Sequence, residues 1–201
     1  MLTRKKKWVV LVLVLVLLTS AGLWSFSSFN HKGFTLRTSH SVGEPVDSMN
    51  GVIVYYNGDI GNVCERNLTE DNYNLGLKYQ CVEFVKRYYY QHLHHKMPDS
   101  YGHAKDFFDR DVADGEKNTR RNLIQYSNPS KTKPKVNDLI VFDGNPYGHV
   151  AIISDVSTDE VEIIQQNPGP HGKSRDTFSL SKENGKWKIG SSRLLGWLRK
   201  E

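Results

Sequence analysis

The second half of the chain is built from short apolar runs separated by turn residues. Four such runs occur in "DLIVFDG", "YGHVAIISDV", "DEVEIIQQN" and "SRLLGWLRK". Each is apolar or alternating, rich in β-branched residues, and bounded by Gly, Pro, Asn or Asp, which is typical of short strands joined by turns. The pattern predicts an antiparallel meander that begins near residue 138.

The first half of the chain predicts helices. From Cys81, apolar residues recur at i, i+3, i+4, i+7 and i+8, which is the spacing of a helix with one buried face. They are Cys81, Phe84, Val85, Tyr88 and Tyr89. A second helix is predicted from Ala104 to about Ala113. Helices followed by a meander indicate an α+β fold, with N-terminal helices packed on one face of an antiparallel sheet.

The N-terminus reads "MLTRKKKWVVLVLVLVLLTSAGLWSFSSF", a basic cluster followed by an apolar stretch. Residues 1–29 are predicted to be either a cleaved signal peptide or a single transmembrane anchor. In both cases the positive-inside rule places residues 4–7 in the cytoplasm and the remainder outside. Residues 30–50 are polar, with Gly, Pro and Ser, and predict a linker. Residues 51–201 are predicted to form the folded domain.

The formal charge of +5 on the 201 residues is concentrated at this N-terminus. Residues 4–7 supply four positive charges and no acidic residue precedes Glu44, so the chain without residues 1–21 carries about +5 − 4 = +1. A nucleic-acid-binding surface is therefore not expected. "QHLHHK" is interpreted as the exposed end of the Cys81 helix, and no metal or cofactor is expected. The oligomeric state stays open.

Cys81 is the first candidate for chemistry. It lies in the first turn of its helix, where backbone N–H groups have no intrahelical partner and the helix dipole is positive. Both effects favour a thiolate and are expected to lower the thiol pKa from about 8.5 toward neutrality. The alternatives are a small buried hydrophobic residue and a disulfide with Cys64, the other cysteine of the chain.

A cysteine nucleophile needs a base and a third group that orients the base. His149, at the start of a predicted strand, is the preferred base, and His103 is a rival. If His149 and the "IIQQN" strand pair so that partner numbers sum to an even value, Gln165 and Asn167 share its face of the sheet. An amide oxygen accepting from Nδ1–H would then leave Nε2 for the thiol.

The segments "YQCVEFVKR", "YGHVAII" and "IIQQN", in this order, resemble the CHAP family of cysteine, histidine-dependent amidohydrolases and peptidases. The form YQCVEF is most similar to the glutathionylspermidine amidase type of this domain. The resemblance implies a papain-like fold and amide hydrolysis through an acyl-enzyme. It assigns Cys81 as nucleophile, His149 as base and then acid, and Gln165 and Asn167 to the third position and the motif asparagine.

Gln165 departs from the family pattern, which often has glutamate there. An amide can orient the imidazole but cannot neutralise imidazolium, so we expect a slower reaction of the same class. The Cys81 backbone N–H and the Gln80 side chain are the expected oxyanion donors. Glu83 and Arg87 are interpreted as a surface ion pair, and Lys86 as part of a solvated helix face.

These features together predict an extracytoplasmic cysteine amidohydrolase or endopeptidase that acts on peptidoglycan. The membrane is an expected partner only if the N-terminal segment stays attached. Two alternatives remain open. The first is an amidase acting on a small conjugate of the glutathionylspermidine type. The second is a catalytically weak, CHAP-like wall-binding module, which the absence of the glutamate would explain.

Overall fold

The computed structural model describes residues 40–144, 146–169 and 172–201. The predicted signal peptide or anchor at residues 1–29 lies outside these residues, as does the first half of the predicted linker. None of the helices described is long and apolar enough to cross a membrane. Residues His40–Glu201 form one unit by their internal contacts.

Eight strands form one antiparallel sheet. They are β5 (Lys117–Asn118), β6 (Leu123–Ser127), β7 (Leu139–Phe142), β8 (His149–Val156), β9 (Glu160–Ile164), β10 (Arg175–Glu183), β11 (Lys186–Ile189) and β12 (Leu194–Arg199). Their order in the sheet is β11-β10-β9-β8-β7-β12-β6-β5. The four predicted runs are β7, β8, β9 and β12. After β9 the chain forms the polar hairpin β10–β11, which extends the sheet beyond β9. The chain then returns to the other side of β7, where β12 pairs with that strand.

Two small hairpins precede the sheet. One pairs β1 (Pro45–Met49) with β2 (Val52–Tyr55), and the other pairs β3 (Arg66–Leu68) with β4 (Asn74–Leu77). Asn50 and Gly51 join the first pair with φ values of 50° and 80°. Positive φ at both positions is the requirement of a two-residue type I′ hairpin turn, which Asn-Gly satisfies with little strain. The first strand thus lies inside the stretch predicted as a linker.

The predicted α+β class, with several helices packed on the sheet, is wrong. The described residues contain far more strand than helix, with one α-helix, α1 (Cys81–Gln91), and a 3₁₀ helix at Ala104–Phe107. The second predicted helix ends at Phe107 because the side chain of Gln125 binds the backbone that would continue it. Gln125 accepts from Asp109 N (2.9 Å) and donates to Asp109 O (2.7 Å). A side chain from the sheet thereby replaces the helical hydrogen bonds.

The central strands of the sheet are buried on both faces, and α1 covers one of these faces. The apolar stripe of α1 is buried as predicted, in a cluster with residues of β7, β8, β9 and β12. Its members are Phe84, Val85, Tyr88 and Tyr89. Tyr89 also ties the helix to the sheet, since its hydroxyl donates to Asn137 O (3.0 Å) and accepts from Leu139 N (3.1 Å). Residues that alternate onto the opposite face form a second core around Trp197.

The polar side of α1 is buried too, which contradicts the prediction of a solvated face. Glu83 and Arg87 form an ion pair (2.6 Å) with side chains 2% and 7% exposed. Lys86 is also buried, and its ammonium donates to Ser100 O (2.9 Å) and Asn74 O. Burial lowers the pKa of Lys86 to about 7. The helix is covered on this side by β4 and the loops around it, so hydrogen bonds take the place of water.

Glu83→Gln tests how far this buried pair holds the fold. The Glu83 carboxylate accepts from Arg87 Nε (2.6 Å), Asn67 Nδ2 (2.8 Å) and Gln166 Nε2 (2.9 Å). A glutamine would offer one acceptor oxygen and leave a buried guanidinium without an anion. We expect a loss of about 3–5 kcal/mol in the free energy of unfolding, measured by urea denaturation.

Glu65→Gln is the matched control, because Glu65 pairs with Lys78 on the surface. We expect its urea midpoint to stay near that of the wild-type protein. Equal midpoints for the two variants would contradict a structural role for the Glu83 pair.

Candidate active site

Cys81 is the first residue of α1 and lies against the start of β8. The chain reaches it from β4 through Tyr79, with φ +67°, and Gln80, which is extended. The backbone N–H groups of Val150, Val82 and Cys81 itself interact with the sulfur. Since Val150 directly follows His149, the thiol lies beside the main chain of the predicted base.

His149 is the first residue of β8 and pairs in register with Phe142. Gly148, with φ +72°, delivers the chain to it. A Cβ at Gly148 would lie 2.6 Å from Phe142 O and 2.7 Å from Lys105 Cβ. Because Gly148 has no side chain, the 3₁₀ helix that contains Lys105 and the end of β7 can both pack closely against the backbone before His149.

Gln165 orients the His149 ring. Its amide nitrogen donates to Lys173 O (3.0 Å), so its oxygen faces the ring and accepts from Nε2 (2.9 Å). The imidazole proton therefore sits on Nε2, and Nδ1 is left to accept a proton. The prediction had these two nitrogens the other way round. Nε2 reaches Gln165 on the neighbouring strand, and Nδ1 is the ring nitrogen closer to the main chain of β8.

Asn167 does not join this pair, although the register begins as the prediction required. Ile152 pairs with Ile164 and Ile153 with Ile163, both with the sum 316, which extrapolates to 149 opposite 167. The strand ends at Ile164, however, and Asn167 turns away with φ +54°. Its side chain donates to Gln80 Oε1 (2.7 Å) instead of to His149.

Gln80 is held in front of the helix by two hydrogen bonds. Its oxygen accepts from Asn167, and its amide nitrogen donates one hydrogen to Asn62 O (2.6 Å). Among the described residues, the second hydrogen of that nitrogen has no acceptor, so it is available to a ligand. The Cys81 backbone N–H, in the first helical turn, is the second candidate donor. An oxyanion is stabilised by donors that point at one position, and these two candidate donors belong to adjacent residues.

Gln166 is a site residue that the sequence prediction missed. It is fully buried, and its amide nitrogen donates to Gln80 O (3.0 Å) and to Glu83 Oε2 (2.9 Å). Its oxygen accepts from Tyr55 N (2.8 Å). Three consecutive amides directly after an apolar strand were the available signal, because alternation places the middle one on the opposite face.

The electrostatics favour a neutral pair in the free protein. Burial raises the pKa of the Cys81 thiol, and three backbone N–H groups offset this only in part. The expectation of a lowered thiol pKa is therefore wrong, because desolvation outweighs the helix terminus. Burial also lowers the pKa of His149 to about 4, with a smaller contribution from the positive charge of Arg193. Both residues keep some accessible surface, so a ligand can reach them.

The alternative candidates have other positions. Cys64 and Cys81 are free, so the disulfide alternative is wrong. His103 precedes the 3₁₀ helix and packs on the Tyr147 ring at 4.8 Å between centroids. His95 is buried and its Nε2 contacts Arg121 O (2.9 Å). In the part of the chain that the structure describes, no group of three or more His, Cys, Asp or Glu residues is arranged to hold a metal.

Gln165→Glu tests the electrostatics of the ring. A carboxylate next to Nε2 stabilises the protonated, charged imidazole, so the pKa of His149 must rise from about 4. We expect a rise of at least about one unit in an NMR titration, in a Cys81→Ser background that removes the thiol. Gln165→Ala is the control, since it removes the hydrogen bond without adding charge. A pKa that does not rise in the glutamate variant would contradict the contact.

Gly148→Ala tests the approach of the 3₁₀ helix and β7 to the base. The new methyl group would collide with Phe142 O and Lys105, and its residue would have to adopt φ +72°. We expect a loss of about 2–4 kcal/mol in the free energy of unfolding, measured by urea denaturation. Gly185→Ala is the matched control, since Gly185 has φ +76° with no atom within 4 Å of the added Cβ. Equal losses would mean that only backbone strain matters.

The chain is similar to known proteins over the segment that contains this site. A family model described as the CHAP domain matches residues 71–167, which include all five predicted site residues. Trypanothione synthetase of Crithidia fasciculata is 33% identical over 127 residues, which cover 60% of this chain and 19% of that protein. Glutathionylspermidine synthase of the same organism is 30% identical over 142 residues, which cover 62% of this chain and 19% of that protein.

The chain thus spans about a fifth of the length of these two relatives. The similarity confirms the resemblance that the Cys81, His149 and Gln165 motifs indicated. Residues 71–167, just under half of the chain, match the model of the CHAP domain, a family of cysteine amidases and peptidases that act on amide bonds.

Proposed function

We propose that the chain is an extracytoplasmic cysteine amidohydrolase that cleaves amide bonds in peptidoglycan. The observation that carries the chemistry is the convergence of Cys81, at the start of α1, with the start of β8, where Gln165 orients His149. The basic cluster and apolar stretch of residues 1–29 support export or anchoring. Outside the membrane, peptidoglycan is the abundant polymer that contains amide bonds.

The reaction begins from the neutral thiol and imidazole. As Sγ of Cys81 forms a bond with the amide carbon, its proton passes to Nδ1 of His149. The carbonyl oxygen becomes an oxyanion between the Cys81 backbone N–H and the free N–H of Gln80. The C–N bond then breaks, Nδ1–H protonates the leaving amine, and a thioester remains.

Hydrolysis of the thioester uses the same groups. Nδ1 takes a proton from water, the hydroxide oxygen attacks the thioester carbon, and the C–S bond breaks. The sulfur recovers the proton and the carboxylic acid leaves. Throughout, Gln165 holds Nε2–H and thereby the ring orientation. An amide stabilises the transient imidazolium less than a carboxylate would, which predicts a modest rate.

A second substrate class is favoured by the relatives. One is named glutathionylspermidine synthase and the other trypanothione synthetase, and both are at least 30% identical to the matched part of this chain. Hydrolysis of a small conjugate of the glutathionylspermidine type is therefore the alternative reaction of the same site. A wall-binding module of low activity, motivated by Gln165, is the alternative outside catalysis.

The full-length protein, incubated with purified peptidoglycan, is expected to release soluble muropeptides with newly formed termini, identified by mass spectrometry. Glutathionylspermidine, incubated in parallel and followed by the release of spermidine, separates the two substrate classes. Turnover of the conjugate alone would overturn the peptidoglycan assignment. Binding to peptidoglycan without any product would favour the module.

Cys81→Ala should lower product formation by at least about 10³-fold, because the nucleophile is lost. His149→Ala should have an effect of similar size. Cys64→Ala is the matched control, since Cys64 is a free thiol in the loop before β3, and it should keep wild-type activity. A Cys81→Ala protein with wild-type activity would contradict the acyl-enzyme.

A further inference from the structure

An open cavity of about 470 Å³ lies beside the loop that leads into His149. It is lined by Lys105, Asp143, Gly144, Ser192 and Arg193. Arg193 is anchored to the start of this loop by two hydrogen bonds, from Asp143 N to Arg193 O (2.7 Å) and from Arg193 Nε to Asp143 O (2.9 Å). Lys105 is anchored to its end, because its backbone N donates to Tyr147 O (3.0 Å).

The cavity presents positive charge. Its one carboxylate, that of Asp143, is already paired with Arg110 (3.0 Å) and accepts from Gly144 N (2.8 Å). Among the residues described, the Nζ of Lys105 and the terminal Nη1 and Nη2 of Arg193 have no acceptor. An ammonium group and the outer edge of a guanidinium are therefore available to a ligand. These are the two groups that bind carboxylates most strongly in proteins.

The cavity lies within reach of the reacting centre. In the sheet, His149 pairs with Phe142, and Phe142 pairs with Leu194, which follows Arg193. Two strand spacings of about 4.8 Å separate these rows, so the distance is roughly 10 Å. The positive charge of Arg193 contributes to the low pKa of His149, which places the two groups within electrostatic range. An extended peptide covers that distance with about three residues.

We propose that Lys105 and Arg193 form a carboxylate-binding subsite, which selects amide substrates that carry a free carboxylate within about three residues of the scissile bond. This inference rests on the proposed function and names a recognition element for it. Arg193 provides the paired N–H donors that match the two oxygens of a carboxylate, and Lys105 provides a point charge on the other side of the cavity. Neither residue contacts the reacting atoms.

Both substrate classes offer this chemistry. Peptidoglycan stem peptides carry free carboxylates, some of which occur as carboxamides. The γ-glutamyl group of a glutathionyl conjugate also has a free carboxylate. The test therefore uses two pairs of substrates, one of each class, in which the same carboxylate is either free or converted to a carboxamide.

We expect the full-length wild-type protein to prefer the free carboxylate by about 10–100-fold in kcat/KM for the substrate class that it cleaves. In Arg193→Gln this preference should fall to within about threefold, and Lys105→Gln should reduce it in part. Arg193→Lys keeps the charge without the paired donors and should give an intermediate preference. An unchanged preference in Arg193→Gln would overturn the subsite.

Lys117→Gln is the matched control for the loss of one positive charge. Lys117 is exposed and far from the cavity. Its strand partner Ile124 pairs with Arg199, which ends β12, whereas Arg193 precedes the first residue of β12. It should keep the wild-type preference. A preference that falls equally in this variant would mean that only net charge matters, which would also overturn the proposal.

A binding measurement separates failure of the subsite from failure of the proposed function. Full-length Cys81→Ala protein is titrated calorimetrically with the same peptides. We expect the free carboxylate to bind about tenfold more tightly than the carboxamide, and this difference to vanish when Arg193→Gln is added. Binding of this kind without turnover by the wild-type protein supports the subsite and contradicts the hydrolase. Turnover with equal rates for acid and amide contradicts the subsite alone.

Discussion

The buried amide of Gln166 is the contact on which the geometry of the site depends. It joins three segments that are distant in sequence: the end of β9, the first turn of α1 through Gln80 and Glu83, and β2 through Tyr55. Every polar atom of that side chain is occupied, and a buried amide left without partners would cost about 1–3 kcal/mol per group. These hydrogen bonds fix the first turn of α1 against the end of β9, and this position keeps the Cys81 sulfur next to the start of β8.

Each of the three consecutive amides binds a different part of the site. Gln165 faces the ring of His149, Gln166 faces the buried ion pair of α1, and Asn167 fixes the side chain of Gln80. One short segment thus orients the base, the helix and a candidate oxyanion donor. Gln165 and Gln166 each donate and accept hydrogen bonds, and Asn167 donates to Gln80 and to Ile60 O. Of the three positions, only that of Gln165 would let a carboxylate stabilise a protonated His149.

Desolvation decides the resting state of the pair. Burial opposes charge on both Cys81 and His149, so the free protein holds a thiol and a neutral imidazole, even though the helix terminus favours a thiolate. In the proposed reaction, the ion pair would form together with attack on the substrate. Arg193 adds to this preference, and a carboxylate bound in the neighbouring cavity would offset its charge. In the proposed subsite, one guanidinium would thus couple carboxylate binding to the basicity of His149.

Local patterns determined much of this protein. The stripe of α1, the strands β7, β8, β9 and β12, and the motifs around Cys81 and His149 follow from residues near one another in the chain, because alternation and helical spacing record which side meets the core. The tertiary structure alone decided the rest. It ended the second helix through Gln125, buried Glu83 and Arg87, and turned Asn167 from His149 to Gln80. Each outcome depends on a partner between 16 and 87 residues away. The partner's position is set by packing of the whole sheet, which no local pattern encodes.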